Sequence, residues 1–96
     1  MKMDIVLQTD FGGDSGYAAS MYGTMKLADR ELKIYALTHE IRPFDIRQAS
    51  GLLRRTIPFW PAETVFVSVV DPGVGTDRRA CAVRLKNGSY VVTPDN

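Results

Sequence analysis

Short apolar runs alternate with longer amphipathic stretches along most of this sequence. The run DIVLQ is short and apolar and meets a glycine-rich loop, which is typical of a buried strand. In the next stretch, small or apolar residues recur at helical spacing: Ala18, Met21, Met25 and Ala28. The pattern predicts a strand over Asp4–Gln8, a helix over Tyr17–Ala28, a strand over Lys33–Leu37, a helix over Ile46–Ile57 and a strand over Val65–Val70.

The second half of the sequence adds two features to this alternation. Val65–Val70 (VFVSVV) is almost wholly apolar, which predicts a central strand covered on both faces. Asn87-Gly88 separates two further runs, Ala80–Leu85 and Tyr90–Thr93, and this dipeptide favours a tight β-hairpin. We therefore predict an α/β fold: a mainly parallel sheet flanked by helices, with a C-terminal β-hairpin.

Composition narrows the classes of function. The chain has 96 residues, enough for one domain, and a formal charge of +1, which gives no support for nucleic-acid binding. Cys81 is the single cysteine, so no internal disulfide forms, and we expect a buried strand residue rather than a nucleophile. No apolar run approaches the roughly 20 residues of a membrane helix, and a cytoplasmic location is the default expectation.

Polar residues follow each of the first three predicted strands. Thr9 and Asp10 follow the first, Thr38 and His39 the second, and Asp71 the third. Because ligands bind at the carboxyl ends of parallel strands, these residues are expected to gather at one edge. Each also has a structural interpretation. Asp10 and Asp71 suit turns, Asp14 or Ser15 suits a helix cap, Phe44 suits the core, and for His39 a structural role is favoured.

Familiar cofactor motifs are absent. The loop FGGDSG lacks the spacing of a dinucleotide-binding loop, and no G-K-[ST] follows a glycine loop. With one histidine and scattered carboxylates, the sequence specifies no metal geometry.

Six motifs occur in an order that resembles one enzyme family. They are TDFG at 9–12, MYG at 21–23, LTHEI at 37–41, PFDI at 43–46, VVDPGVGTDRR at 69–79 and TPDN at 93–96. Across essentially the whole chain they resemble the S-adenosylmethionine hydrolases, which are relatives of the fluorinase and chlorinase. The resemblance implies hydrolysis of S-adenosylmethionine to adenosine and L-methionine, with S-adenosylmethionine as substrate and no cofactor.

The resemblance also implies roles for individual residues. Asp71 and Arg78 match two members of the set credited with holding and polarising the attacking water, and the aspartate favours water over halide as nucleophile. Asp10, Asp14, Ser15 and Phe44 fall on substrate-binding motifs. The family has an aspartate where this sequence has Ser15, and Asp14 comes one residue early, so either one is a candidate for gripping the ribose hydroxyls.

Family members continue past TPDN to a third catalytic residue and a C-terminal β-barrel domain, and they assemble as trimers. Residues 1–96 therefore match part of an N-terminal α/β domain, and we expect the isolated chain to be inactive and to self-associate. Two alternatives remain from the sequence: a non-catalytic binding or assembly module, and a halogenating relative, against which Asp71 argues.

Overall fold

The alternation of strands and helices builds an α/β fold in the computed structural model, which describes residues 3–71 and 79–95. The described elements are β1 (Ile5–Thr9), α1 (Tyr17–Ala28), β2 (Ile34–Thr38), α2 (Ile46–Thr56), a 3-10 helix (Ile57–Phe59), β3 (Val65–Val69), β4 (Ala80–Arg84) and β5 (Tyr90–Pro94). The predicted elements are all present, with strand bounds that differ by about one residue.

The five strands form one sheet in the order β2-β1-β3-β5-β4. β1 runs parallel to β2 and β3, β3 runs parallel to β5, and β4 pairs antiparallel with β5. β3 is therefore the middle strand, as the apolar run predicted. The prediction of a mainly parallel α/β sheet with a C-terminal hairpin is confirmed.

The hairpin turn contains the predicted Asn87-Gly88 dipeptide. Gly88 has φ 88°, a left-handed conformation that glycine adopts without a side-chain clash. Its N–H donates to the carbonyl of Leu85 over 3.0 Å, and the Leu85 N–H donates to the carbonyl of Ser89 over 2.7 Å. The Asn87 side chain accepts from the Ser89 N–H at 2.9 Å, which stabilises the turn from inside.

β3 is buried on one face and only partly covered on the other, so the prediction of burial on both faces holds for one face alone. Phe66 and Ser68 are buried, whereas Val65, Val67 and Val69 are partly exposed. The Phe66–Ser68 face lies under α2, while Val67 and Val69 line an open hollow beside β4 and β5. Apolar sequence shows that a strand is compatible with burial but not what covers it.

A small core lies between α2 and the sheet. Ile41, Ala49 and Val70 are buried together, with Leu52 packed against them. Gln8 on β1 links α2 to the sheet. Its side-chain amide donates to the carbonyl of Ala49 on α2 at 3.1 Å and to Ser68 Oγ on β3 at 2.9 Å. A buried amide that bridges a helix and a neighbouring strand fixes the height of α2 above the sheet.

α1 is attached more loosely than α2. None of its residues is buried, although Ala18, Met21 and Met25 on the predicted inner face are partly covered; Ala28, predicted with them, is exposed. Cys81 is a strand residue of β4, as predicted, but it is only partly buried. Neither α-helix of the described chain has the length and apolar character of a membrane span.

Candidate active site

The carboxyl ends of β1, β2 and β3 meet at one edge of the sheet. Gln8 is paired with Thr38 and Thr9 with Val69, so the residues that follow these strands lie side by side. Asp10 and Asp71 are therefore at the same edge, as predicted from parallel strands. Arg78, the partner that the resemblance gives to Asp71, lies outside the described residues.

Asp71 is a carboxylate that the fold buries. Its residue is 5% exposed and follows Val70, which belongs to the core under α2. Burying a carboxylate is costly unless other groups compensate it, and such groups concentrate at functional sites. Among the candidate site residues that the structure describes, Asp71 is the most buried.

Asp10 fixes the loop that precedes α2. Its Oδ2 accepts a hydrogen bond from the Phe44 N–H at 2.8 Å. Phe44 has φ 63°, a left-handed conformation that costs a non-glycine residue about 1–2 kcal/mol, and its residue is 56% exposed. Backbone strain of this kind persists where the surroundings enforce it, often at ligand sites. The bond to Asp10 thus holds the backbone of Phe44 near the carboxyl edge of the sheet, and the residue is exposed there.

Asp14 and Ser15 differ in how firmly the loop engages them. The Ser15 hydroxyl donates to the carbonyl of Phe11 at 3.3 Å and accepts from the Tyr17 N–H at 3.3 Å. The Asp14 carboxylate lies against Gly12, where a β-carbon would be 3.7 Å from Asp14 Oδ1, and its residue is exposed. The serine hydroxyl is therefore engaged within the loop, although both residues are exposed.

The expected helix cap by Asp14 or Ser15 is wrong in position. The N-cap of α1 is Gly16, with φ 82° and no side-chain cap bond. Ser15 lies one residue earlier and accepts from the first helical N–H. Glycine serves here because the chain enters the helix through a left-handed conformation.

His39 connects three elements at this edge. Its Nδ1 is 2.7 Å from Thr9 Oγ1, and its Nε2 is 2.9 Å from the Tyr22 hydroxyl on α1. The Tyr22 and His39 rings also meet edge to face, with centroids 5.7 Å apart. The structural role favoured from the sequence is consistent with these contacts. Thr9 and Tyr22 as its partners had no recognisable pattern in the sequence.

Asp45 stabilises the start of α2 and carries the clearest electrostatic feature near the site. Its Oδ1 accepts from the Gln48 N–H at 2.9 Å, and its Oδ2 pairs with Arg42 at 2.8 Å. The backbone bond from Gln48, followed by the hydrogen bond from Arg42, lowers the pKa of the Asp45 carboxyl below its ordinary value of 3.8. The carboxylate therefore stays charged at the positive end of the helix dipole.

Within the part of the chain that the structure describes, no group of three or more His, Cys, Asp or Glu side chains is arranged to hold a metal ion. What this edge offers a ligand is carboxylates and an exposed phenylalanine, Phe44. Such a surface suits a polar small molecule with hydroxyl donors and a positive charge.

Comparison with known proteins gives this arrangement a family. Residues 5–96 match the model of the SAM hydroxide adenosyltransferase N-terminal domain. An enzyme from Methanocaldococcus jannaschii named (R)-S-adenosyl-L-methionine hydrolase is 40% identical over an alignment of 96 positions, which covers 96% of this chain and 36% of the relative. A fluorinase from an Actinoplanes species is 26% identical, over 88% of this chain and 28% of its own length.

The fold agrees with the sequence match. A crystal structure of an uncharacterised conserved protein from Thermotoga maritima superimposes with a TM-score of 0.92 at 41% identity, covering 96% of this chain and 35% of that one. The chain spans about a third of the length of the relatives that it matches. Sequence and fold agree over nearly every residue, and the chain belongs to the SAM hydroxide adenosyltransferase family, within its N-terminal domain.

Proposed function

We propose that this chain forms the water-holding and ribose-holding part of an S-adenosylmethionine hydrolase, with Asp71 as the anchor of the attacking water. The observation that carries the proposal is the burial of Asp71 at 5% exposure on the edge that also bears Asp10. The 40% identity to an enzyme named (R)-S-adenosyl-L-methionine hydrolase supports it.

The proposed reaction needs little acid–base catalysis from the protein. The water oxygen bonds to the ribose C5′ while the C5′–S bond breaks. The electron pair of the broken bond stays on the sulfur, which becomes the neutral thioether of methionine. The attacking water loses a proton to solvent, which leaves adenosine. Because the sulfonium is already a good leaving group, the rate depends on holding the water in line and on stabilising the charge that develops on it.

Asp71 suits this task because a fixed carboxylate accepts a hydrogen bond from the water and favours the positive charge that builds on its oxygen. Arg78 is proposed as its partner from the family resemblance. A carboxylate at this position repels a halide ion, so we propose water rather than fluoride or chloride as the nucleophile.

Asp14 is proposed, together with Asp10, to grip the ribose hydroxyls, and Phe44 to cover the ligand. The choice of Asp14 over Ser15 follows from their contacts, since the serine hydroxyl is occupied at both its donor and its acceptor side. Asp14→Asn is expected to raise KM about tenfold or more, as loss of a hydrogen bond to a charged group does, while Ser15→Ala changes KM by less than about threefold. The reverse ranking would assign the ribose to Ser15.

The main test uses a chimaera in which residues 1–96 replace the matching segment of the Methanocaldococcus jannaschii enzyme. Adenosine release from both sulfonium epimers of S-adenosylmethionine is followed by chromatography. Asp71→Asn keeps the shape and removes the charge, and we expect turnover to fall about 10²-fold with KM little changed. Asp4→Asn makes the same chemical change just before β1, at the opposite edge, and should leave turnover intact.

Three results would count against the proposal. Turnover of Asp71→Asn equal to that of the parent chimaera would remove Asp71 from the mechanism. A folded chimaera that binds S-adenosylmethionine without releasing adenosine would instead favour the non-catalytic binding module. Halogenated adenosine formed in fluoride or chloride would favour the halogenating alternative.

We also propose that the isolated chain supplies only part of the site. Its relatives are about three times as long, and a ligand held at one sheet edge alone stays solvated on its open side, where fixed charges act weakly. The 96-residue chain is therefore expected to release no adenosine under conditions in which the chimaera does. Adenosine formation that vanishes in Asp71→Asn would show that this edge is sufficient.

A further inference from the structure

The side chains of Thr9, His39 and Tyr22 form a chain of hydrogen bonds that the proposed reaction does not use. Thr9 ends β1 and is fully buried, His39 follows β2, and Tyr22 lies in α1. The imidazole contacts both partners, at 2.7 Å through Nδ1 and at 2.9 Å through Nε2. Both ring nitrogens are therefore occupied, which leaves His39 unsuited to act as a base on a ligand.

Donor accounting assigns the tautomer. Thr9 Oγ1 already accepts the Phe11 N–H at 3.2 Å, and its own hydroxyl proton needs an acceptor because the residue is fully buried. Among the described residues, His39 Nδ1 is the acceptor that this hydroxyl contacts, and it can accept only if that nitrogen carries no proton. The ring proton then resides on Nε2 and is donated to the Tyr22 oxygen. With the opposite tautomer the buried Thr9 hydroxyl would have no acceptor within the described part of the chain, which is unfavourable for a buried donor.

The same residue fastens the loop that carries Asp10. The Gly12 N–H donates to the His39 carbonyl at 2.8 Å, and the Ile41 N–H donates to the Thr9 carbonyl at 3.3 Å. Residues 9–12 are thus held to residues 39–41 by backbone bonds and by the Thr9–His39 bond. Asp10 lies inside this fastened stretch, and its carboxylate in turn holds Phe44.

We propose that His39 is a positioning residue, fixed as the Nε2–H tautomer between Thr9 and Tyr22, that sets the place of Asp10 at the candidate site. The consequence for ligand binding rests on the proposed function, whereas the tautomer and the effect on Asp10 do not. The Thr9 side of the ring acts on the loop, and the Tyr22 side anchors the ring to α1.

The tautomer is tested on the chain itself, in which His39 is the single histidine. With ¹⁵N-labelled imidazole, long-range ¹H–¹⁵N spectra at a pH where the ring is neutral distinguish a protonated from an unprotonated nitrogen without ambiguity of assignment. We expect Nε2 protonated and Nδ1 unprotonated. Tyr22→Phe should loosen this preference and keep the fold. A dominant Nδ1–H tautomer, or the averaged nitrogens of a free imidazole, would overturn the proposal.

Two replacements of His39 separate the halves of its role. Asparagine places an acceptor near the Nδ1 position and retains the bond from Thr9, whereas glutamine reaches the Nε2 position and retains the bond to Tyr22. The Phe44 amide reports on Asp10, because it donates to that carboxylate at 2.8 Å. We expect its chemical shift and exchange protection to stay near the parent values in His39→Asn and to change in His39→Gln.

Thr9 gives a second pair that leaves the histidine in place. Thr9→Val keeps the shape and removes the hydroxyl, and Thr9→Ser restores the hydroxyl. The Phe44 amide should be perturbed in the valine variant and close to the parent in the serine variant. Equal perturbation by valine and serine would mean that packing at Thr9, rather than its hydroxyl, holds the loop, and would overturn the proposal.

In the chimaera the same variants are measured for turnover. His39→Gln and Thr9→Val are expected to raise KM about 3- to 10-fold with kcat within about twofold, because one net hydrogen bond is lost from ligand positioning and none from the chemical step. A loss confined to kcat would contradict a positioning role. If the parent chimaera releases no adenosine, the proposed function fails, and the spectra of the chain still decide the role of His39.

Discussion

Substitutions of Phe44 can measure the backbone strain at the candidate site. Its φ of 63° is matched in the described chain by Glu63, with φ 67°, which lies just before β3, away from the carboxyl edge. A left-handed conformation costs a non-glycine residue about 1–2 kcal/mol, and glycine escapes this cost. Comparing glycine with alanine at each position removes the side chain in both variants, so the difference isolates the backbone.

The expected magnitude follows from two opposing terms. Relief of strain favours the glycine variant by about 1–2 kcal/mol, and the greater freedom of glycine in the unfolded chain takes back about 0.4–1 kcal/mol. Phe44→Gly should therefore be more stable than Phe44→Ala by about 0.5–1 kcal/mol. For a domain of this size that is a rise in Tm of about 2–8 °C. Glu63→Gly and Glu63→Ala should differ by a similar amount.

Function should separate the two positions. Both Phe44 variants lose the ring proposed to cover the ligand, and in the chimaera KM should rise in both, whereas the Glu63 variants should keep the parent KM. Stability is measured by thermal unfolding followed by circular dichroism. The reasoning fails if Phe44→Ala is as stable as Phe44→Gly, because φ would then carry no strain. It also fails if the Glu63 variants raise KM as much as the Phe44 variants do.

Three further outcomes test the local structure around the site. Asp45→Ala should destabilise the chain through loss of the cap of α2, and Asp45→Asn by less because an acceptor remains. Since the pKa of Asp45 is lowered in the folded chain, its charge contributes stability at pH values above 3.8, and this stability is lost as the pH falls through the lowered pKa. Chemical unfolding at neutral and at strongly acidic pH tests this. The difference in stability between the parent and Asp45→Asn should disappear in acid. Gly16→Ala should cost about 1 kcal/mol from φ 82° alone, because a β-carbon there meets no atom within 4 Å; no measurable loss in urea unfolding would contradict this.

The sequence was sufficient for the arrangement of elements and for the edge where the polar residues gather. Apolar runs separated by amphipathic stretches left a parallel sheet as the simplest solution, and parallel strands bring their carboxyl ends to one edge. Asp10 and Asp71 were located this way without any contact being known. The strand predicted over Val65–Val70 was placed at the centre because it is almost wholly apolar, and β3 (Val65–Val69) is indeed the middle strand.

The contacts that define the site were beyond reach because they join distant parts of the chain. The left-handed Phe44 depends on an acceptor 34 positions earlier, and phenylalanine has no local preference for that conformation. His39 meets Thr9 across 30 positions and Tyr22 across 17. Periodicity reports which face of an element is apolar, but the bonds between loops depend on how the folded elements are stacked.

Three residues at the candidate site are held in place by hydrogen bonds within the fold. Asp10 is engaged by the Phe44 N–H, Ser15 is bonded within the glycine loop, and His39 is held at both nitrogens. Groups fixed by folding lose little further freedom when a ligand arrives, so the ordering cost is met before binding. For a reaction whose leaving group is already activated, placement is the main contribution left to the protein. Phe44 has a left-handed backbone conformation, and the His39 imidazole is hydrogen-bonded at both nitrogens. Both observations are consistent with a site that acts through fixed geometry rather than through acid–base catalysis.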